Sequence, residues 1–195
     1  MSPDIEIIGD GCAALSLAAR ASELNHNIRL IKPSNAPTTN DHVWGFWSDP
    51  ILADAQQLAR ATWQKWAIIT HNDCAVLSSE TRPYNAFKRS DWSEHCKGLA
   101  ELSKVTIVAE HEWEKSADSL LFDTRPPVVP NDCMLQHFQG IEVKTKQPCF
   151  DKDMAILMDF RVDQSKGMHF IYLLPYSTTE ALVESTLFST ELVDE

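Results

Sequence analysis

No stretch of this sequence stays apolar for the roughly 20 residues that a helix needs to cross a bilayer. Its first residues include Asp4 and two glycines, Gly9 and Gly11, where a signal peptide would keep an unbroken apolar core. Neither a secretory leader nor a membrane anchor is expected. Basic charge is also scarce. Against 28 Asp and Glu stand 17 Lys and Arg, a formal charge of −11, and no basic run interleaves with aromatics. A surface of that sign repels nucleic acid and gives no electrostatic hold on anionic lipid. The five cysteines, Cys12, Cys74, Cys96, Cys133 and Cys149, include no Cys-x-x-Cys pair and are odd in number. They read as reduced, mostly structural thiols of a cytosolic protein. His111-Glu112 lacks the later histidine of a zinc-protease helix, so no metal site is expected. Internal repeats and low-complexity segments are absent.

What is present begins at the N-terminus. With 195 residues and an apolar fraction of 44%, the chain can bury one good core, or one and part of a second. Asp4 to Ile8 reads as a strand, Gly9-Asp10-Gly11-Cys12-Ala13-Ala14 as a tight turn, Ala13 to Glu23 as an alanine-rich helix and Ile28 to Ile31 as a second strand. That is a βαβ unit opening with G-x-G-x-x-A. The first glycine permits the sharp turn, the second lets backbone N–H groups approach a pyrophosphate, and the small Ala14 lets helix and strand pack closely. Two residues depart from the pattern. Lys32 ends the second strand where an acid would bind a ribose, and Asp10 places a carboxylate inside the turn. A scaffold without a nucleotide is the competing reading.

Pro33 to Asp41 is a loop by composition and leads into the aromatic cluster His42 to Trp47. Trp44, Phe46 and Trp47 either anchor a loop on the core or wall an extended apolar ligand. Asp54 to Ala61 reads as a helix, Trp66 to His71 and Cys74 to Ser79 as paired strands, and Arg82 to Asn85 as a turn. A helix from Ser90 to Leu102 takes Ser90 as its N-cap, and Val105 to Val108 and Leu120 to Asp123 are short strands. Glu110 to Lys115 is a solvated face. From Leu135 onward the pattern is strand after strand: Leu135 to Val143, Ala155 to Arg161, Met168 to Leu174 and Ala181 to Phe188. The fold class is α/β, a Rossmann-like βαβ domain with an inserted or following antiparallel β-sheet. The expected division is 1–130 for the nucleotide-type part with small inserted strands and 131–195 for the antiparallel sheet.

The chain resembles the bacterial lycopene cyclase family, flavoproteins that close the ends of linear lycopene into rings. The matching pieces run in family order from Gly9–Ala18 and Asp41–Trp47 through Phe138–Val143, Leu157–Gln164, Phe170–Ser177 and Ala181–Thr186. The resemblance implies an FAD-binding part, reduction of the flavin by NAD(P)H, a substrate-binding sheet, and an isomerising intramolecular lyase reaction without net redox change. It also implies a cytoplasmic protein docking transiently on the inner face of the membrane, where its carotenoid substrate dissolves. By position it implies Glu142, Asp159 and Glu184 as the catalytic carboxylates. Gly9, Gly11, Ala13, Ala14, Lys32, Asp123 and Arg125 would hold the flavin, and Trp44, Phe46 and Trp47 the substrate. Taken singly, each carboxylate has an ordinary reading: Glu142 an exposed strand residue, Asp159 an ion pair with Arg161, Glu184 solvation at a strand edge. Pro126 departs from the family's second flavin motif near Asp123. The family continues past the point where this sequence ends at Glu195, which suggests an N-terminal portion or truncated relative, with a partner chain as one source of the remainder. The alternative function is therefore an inactive relative that binds a carotenoid or supports a partner enzyme. A prenyl reductase-like oxidoreductase would share the glycine turn but not Met158 to Gln164 or Leu182 to Thr186.

Overall fold

The computed structural model describes residues 4–35, 41–128, 130 and 132–191. In chain order the regular elements are β1 (Ile5–Ile8), α1 (Cys12–Ala19), α2 (Ala21–Leu24), β2 (Ile28–Lys32), β3 (Val43–Trp47), α3 (Ala53–Gln57), β4 (Ala61–Trp63), β5 (Lys65–Ile69), β6 (Cys74–Ser78) and β7 (Tyr84–Lys88). They continue with α4 (Arg89–Leu102), β8 (Thr106–Ala109), β9 (Leu120–Asp123), β10 (Leu135–Lys144), β11 (Met154–Asp159), β12 (Met168–Pro175) and β13 (Glu180–Ser189). Of the loop expected over 33–41, residues 36–40 lie outside the described residues.

The chain forms two compact units, Met1–His42 with Lys88–Val128 and Val43–Phe87 with Val129–Glu195. A single cut at 130 therefore does not describe it. Residues 43–87 go with the later strands because β5 pairs in parallel with β11 in one sheet.

In the first unit a four-stranded sheet runs in the order β8-β2-β1-β9, with every pairing parallel. Central β1 is buried along its whole length, as a strand covered on both faces must be. Its Ile-Glu-Ile-Ile sequence places a carboxylate there, and Glu6 is 0% exposed. Four groups satisfy it. The Arg29 guanidinium on β2 forms an ion pair with it. The Trp113 indole N–H donates at 2.9 Å, the Ser116 backbone N–H at 3.2 Å and the Ser119 hydroxyl at 2.6 Å. Helix α4 buries Trp92, Cys96 and Ala100, a stripe at four-residue spacing, and packs on α1. The Trp92 indole N–H donates to Ser16 Oγ at 3.0 Å.

Two expectations fail in this unit, and a third, on the cysteines, fails across the chain. The helix over 13–23 breaks at Arg20 into α1 and α2, and Asn25 ends it in the left-handed conformation at φ 52°. The α4 cap is not Ser90. Asp41 accepts from the Ser90 backbone N–H at 3.0 Å and its hydroxyl at 2.8 Å, supplying from 49 residues away the acceptor that the helix start needs. The cysteines are all free, but only Cys96 is buried; Cys12, Cys74 and Cys149 are exposed.

The second unit has a six-stranded sheet, β10-β13-β12-β11-β5-β6, facing a three-stranded one, β3-β7-β4. Its core lies between them. Trp63, Tyr84 and Ala86 come from the small sheet, and Ala155, Leu157, Leu174 and Leu182 from the large one. The small sheet occupies segments read as an aromatic cluster, a helix end and a turn. Buried Asn85 explains part of this. A residue ordinarily depleted in strands, it accepts from the Thr62 hydroxyl at 2.8 Å and donates to Ser48 Oγ at 2.8 Å and Pro83 O at 3.0 Å.

Burial would raise the Glu6 carboxyl, but hydrogen bonds from Ser119, Trp113, Arg29 and Ser116 outweigh it and hold it at about 2, against an ordinary 4.5. A lowering of that size corresponds to about 3 kcal/mol of folding stability. Because the folded value is the depressed one, the contribution is complete above the unfolded value and is lost as pH falls from 4.5 towards 2. Replacing Glu6 by Gln is expected to cost about 3 kcal/mol at neutral pH. The urea-denaturation gap between wild type and Glu6→Gln should narrow steadily below pH 4.5; a gap independent of pH would contradict this account.

Candidate functional site

The first unit carries the glycine turn. Gly9 sits at φ 141°, and a Cβ built there would lie 2.1 Å from Thr124 Oγ1 and 3.2 Å from the Ala14 Cβ. Thr124 is fixed in turn, its hydroxyl donating to Ile8 O at 2.8 Å. Gly11 is different: it is extended at φ −84°, it caps α1, and a Cβ there would meet nothing within 4 Å. Helix α1 has no side-chain cap and no acid in its first turn, so its leading N–H groups are left for an anion. Ala14 is buried and Ala13 exposed. Asp10 opens onto a cleft of about 620 Å³ lined on the α4 side by Arg89, Ser90, Ser93 and Lys97. The cations Arg89 and Lys97 and the acids Glu94 and Glu101 share that cleft with Asp10. Nothing in the glycine motif pointed to them, since they lie some eighty residues downstream.

Lys32 is exposed at the end of β2. Asp123 and Arg125 are engaged with each other, Arg125 donating to Asp123 at 2.9 and 2.6 Å and to Glu110 at 2.9 Å. The Arg125 bonds hold the Asp123 carboxyl below its usual range. Gly11 and Ala13 thus leave exposed backbone at the start of α1 that suits an anion, Gly9 and Ala14 are buried behind them, and Asp123 and Arg125 form a surface ion cluster.

The second unit gathers two of the three expected carboxylates. Directly opposed antiparallel residues share a sheet face, as do residues two apart on one strand. Glu142 on β10 stands opposite Leu182, and Glu184 on β13 opposite both Gly140 and Tyr172. Leu182 and Leu174, another opposed pair, belong to the core, so Glu142 and Glu184 project on the core face of the large sheet. Gly140 makes room: a Cβ there would lie 3.2 Å from the Glu184 carboxylate. Asp159 stands opposite Ile171, which stands opposite Ser185, and these face the other way. The register of β11 shifts between Ile156 and Asp159, and Arg161 holds Asp159 through bonds of 2.9 and 2.7 Å. Those bonds, Arg161 first, keep its carboxyl below the usual range. The three acids thus do not form one group.

Around Glu184 lie phenols. Burial, with Tyr172 and Glu184 adding to it, pushes the Tyr84 hydroxyl above its usual range. Burial pushes Tyr176 up to about 12, against the opposing pull of Arg60. Trp47 packs on Tyr84 at 4.8 Å and Trp66 at 6.0 Å. Trp44 and Phe46 instead pack on Phe87, at 6.0 and 5.2 Å. Gly45 between them accommodates the Tyr84 ring, whose hydroxyl would lie 1.8 Å from a Cβ there. The three aromatics of β3 therefore serve two different clusters, and Trp47 is the one joined to the tyrosines near Glu184.

Residues 4–193 match the lycopene cyclase protein family. The chain belongs to the lycopene cyclase family. A lycopene beta-cyclase of Paracoccus sp. (strain N81106 / MBIC 01143) is 43% identical over 207 aligned residues, covering 97% of this chain and 52% of that protein. The chain thus spans about half the length of the curated relative that it matches. Among solved structures, the tetrameric form of 2-methyl-3-hydroxypyridine-5-carboxylic acid oxygenase aligns with a TM-score of 0.64 at 15% identity, covering 94% of this chain and 58% of the other. CtdE in complex with FAD aligns with a TM-score of 0.59 at 10% identity, covering 100% and 61%. Those two likenesses establish the Rossmann-like α/β architecture that this lycopene cyclase family member shares.

The two glycines of its turn can be separated by experiment. Gly9→Ala forces a Cβ into Thr124 at a positive φ and is expected to cost about 2 kcal/mol or more in urea denaturation. Gly11→Ala has open space at an ordinary φ and should stay within about 1 kcal/mol of wild type. Equal effects would refute the division of labour.

Proposed function

We propose that this chain carries the acid/base chemistry of a lycopene cyclase: an intramolecular lyase that closes the ends of a linear carotenoid, on a protein holding reduced FAD. The observation that carries the reading is the pair Glu142 and Glu184 on one aromatic-lined sheet face, at positions that match the family. The 43% identical relative, a lycopene beta-cyclase, supports the substrate class. The glycine turn supports the cofactor: Gly11 and Ala13 would offer exposed backbone to its pyrophosphate, with the small Gly9 and Ala14 packed behind them.

Ring closure needs three things from the protein. One carboxylic acid gives a proton to the terminal double bond, and the electron pair of that bond forms the new C–H bond. The cation so formed is attacked by an internal double bond of the same polyene, which makes the ring. A carboxylate then removes a neighbouring proton and a double bond is restored. Atoms and electrons balance without net oxidation. Aromatic faces such as Trp47 and the tyrosines favour a passing cation and exclude water. Reduced FAD, when bound and kept reduced by NAD(P)H, would supply electron density that favours a cation. Because lycopene dissolves in the bilayer, the reading includes transient contact with the inner face of the membrane. No helix among the described residues is long and apolar enough to cross it.

Expression in a lycopene-accumulating bacterial host should turn the pigment from red to orange, and the purified protein should show blue-region flavin bands. Glu142→Gln and Glu184→Gln should each lower ring formation by about 100-fold or more. Asp159→Asn, on the other face, should lower it by less than about tenfold. Soluble protein with unchanged lycopene refutes the cyclase reading. Lycopene retained on the purified protein but never cyclised would establish the non-catalytic carotenoid-binding alternative.

A further inference from the structure

One charge on the proposed site is unused by the scheme above. Arg60 immediately precedes β4, and its backbone N–H donates to Ala86 O on β7 at 2.8 Å, which ties its main chain to the small sheet. Its side chain reaches the large sheet. Nη1 donates to Glu142 Oε1 at 2.5 Å and Nη2 to Oε2 at 3.1 Å, a two-bond grip on both carboxylate oxygens. The guanidinium carbon also lies 3.7 Å from the centroid of the Tyr176 ring. These side chains line a cleft of about 220 Å³ together with Lys144 and Glu180. Lys144 and Glu180 pair with each other at 2.7 Å.

Magnitudes argue against a purely structural role. The Arg60 and Glu142 side chains are 32% and 44% exposed, and an ion pair that open to water contributes only about 0–1 kcal/mol to stability. A contribution of that size leaves the fold little dependent on it. Its geometry, however, is demanding: a planar fork spans both oxygens while its face rests on an aromatic ring, which fixes the direction of the carboxylate.

We infer that Arg60 is a positioning residue that holds Glu142 as an oriented carboxylate, so that Glu142 takes the proton released after ring closure and Glu184 gives the one that starts it. The assignment rests on the cyclase reading. A carboxylate with both oxygens committed to a guanidinium has no proton to donate, and the donor role passes to the other acid on that face. The proton balance is then explicit. Glu184 loses one proton to the polyene, Glu142 gains one from the ring, and exchange with solvent resets both.

The test has one arm that does not depend on catalysis. Water-soluble carbodiimide with glycine ethyl ester labels protonated carboxyls, and peptide mass mapping reads each site. In wild type, Glu142 should label at least about tenfold more slowly than exposed Glu101; in Arg60→Gln it should label at a similar rate, and Arg60→Lys should fall between. In the second arm, ring formation on lycopene in vesicles should drop at least about tenfold in kcat in Arg60→Gln with KM nearly unchanged, and Arg60→Lys should restore part of it. Glu142 labelling as fast as Glu101 in wild type, or full activity in Arg60→Gln, overturns the inference. Absence of ring formation in wild type overturns the cyclase reading instead, and the labelling arm still decides whether Arg60 holds Glu142.

Discussion

A single buried carboxylate sets the geometry of the first unit. Glu6 sits at the middle of the central parallel strand, fully removed from water, and every group that satisfies it comes from elsewhere in the chain: Arg29 on β2 and Trp113, Ser116 and Ser119 from the segment that enters β9. An isolated charge at that depth would be prohibitively costly, so the sheet forms only in the register that brings these donors together. That register also decides where the next residues go. Ile8 passes its carbonyl to Thr124, Gly9 gives its N–H to Ile31, and the turn is left with α1 pointing its uncapped N-terminus outward. The uncapped start of α1 is thus downstream of an ionic interaction one strand-length away.

The second unit works through parity. In a sheet the choice of face is binary, and a slip of one residue reverses it. Glu142 and Glu184 share a face because β10, β13 and β12 keep an unbroken register. Asp159 is lost to that face because β11 slips where it must pair with β5 on one side and β12 on the other. Gly140 has its place in the same arithmetic, since it is the residue opposite Glu184 and leaves the carboxylate its space. Chemistry that needs two acids in different protonation states gains from this arrangement. One acid is gripped by a cation, the other lies among tyrosines that burial keeps protonated.

How much of this the sequence disclosed follows from the range of each interaction. The βαβ unit was legible because its glycine turn, alanine-rich helix and short apolar strands are all local. The strands from 135 onward were legible for the same reason, their β-rich runs being bounded by turn residues. The small sheet was not. Val43–Trp47 reads as an aromatic cluster, Ala61 as the end of a helix, and Tyr84 and Asn85 as the end of a turn, because Asn85 becomes a strand residue only once Thr62 and Ser48 reach it. The family positions of Glu142 and Glu184 were visible. Arg60, which lies 82 residues before Glu142, was not, and neither was the face on which Asp159 would fall.

The same distinction accounts for the way the chain leaves the first unit and rejoins it. Residues 43–87 leave the first unit after His42 and return at Lys88. The two ends of that excursion are bonded to each other: Arg89 N–H donates to His42 O at 2.8 Å, and Asp41 takes both the N–H and the hydroxyl of Ser90. An insertion whose ends meet adds little strain to its host, because the host's own contacts close beneath it. Here the closure has a second use. The bonds from Ser90 hold the Asp41 carboxyl below its usual range and give α4 the N-terminal acceptor that its own first residues do not provide. The helix that returns the chain is thereby started at the point where the chain departed. The cleft beside Asp10 takes Arg89 and Lys97 from that same helix. A short-range cap at Ser90 would not have tied the start of α4 to the residue from which the chain departs.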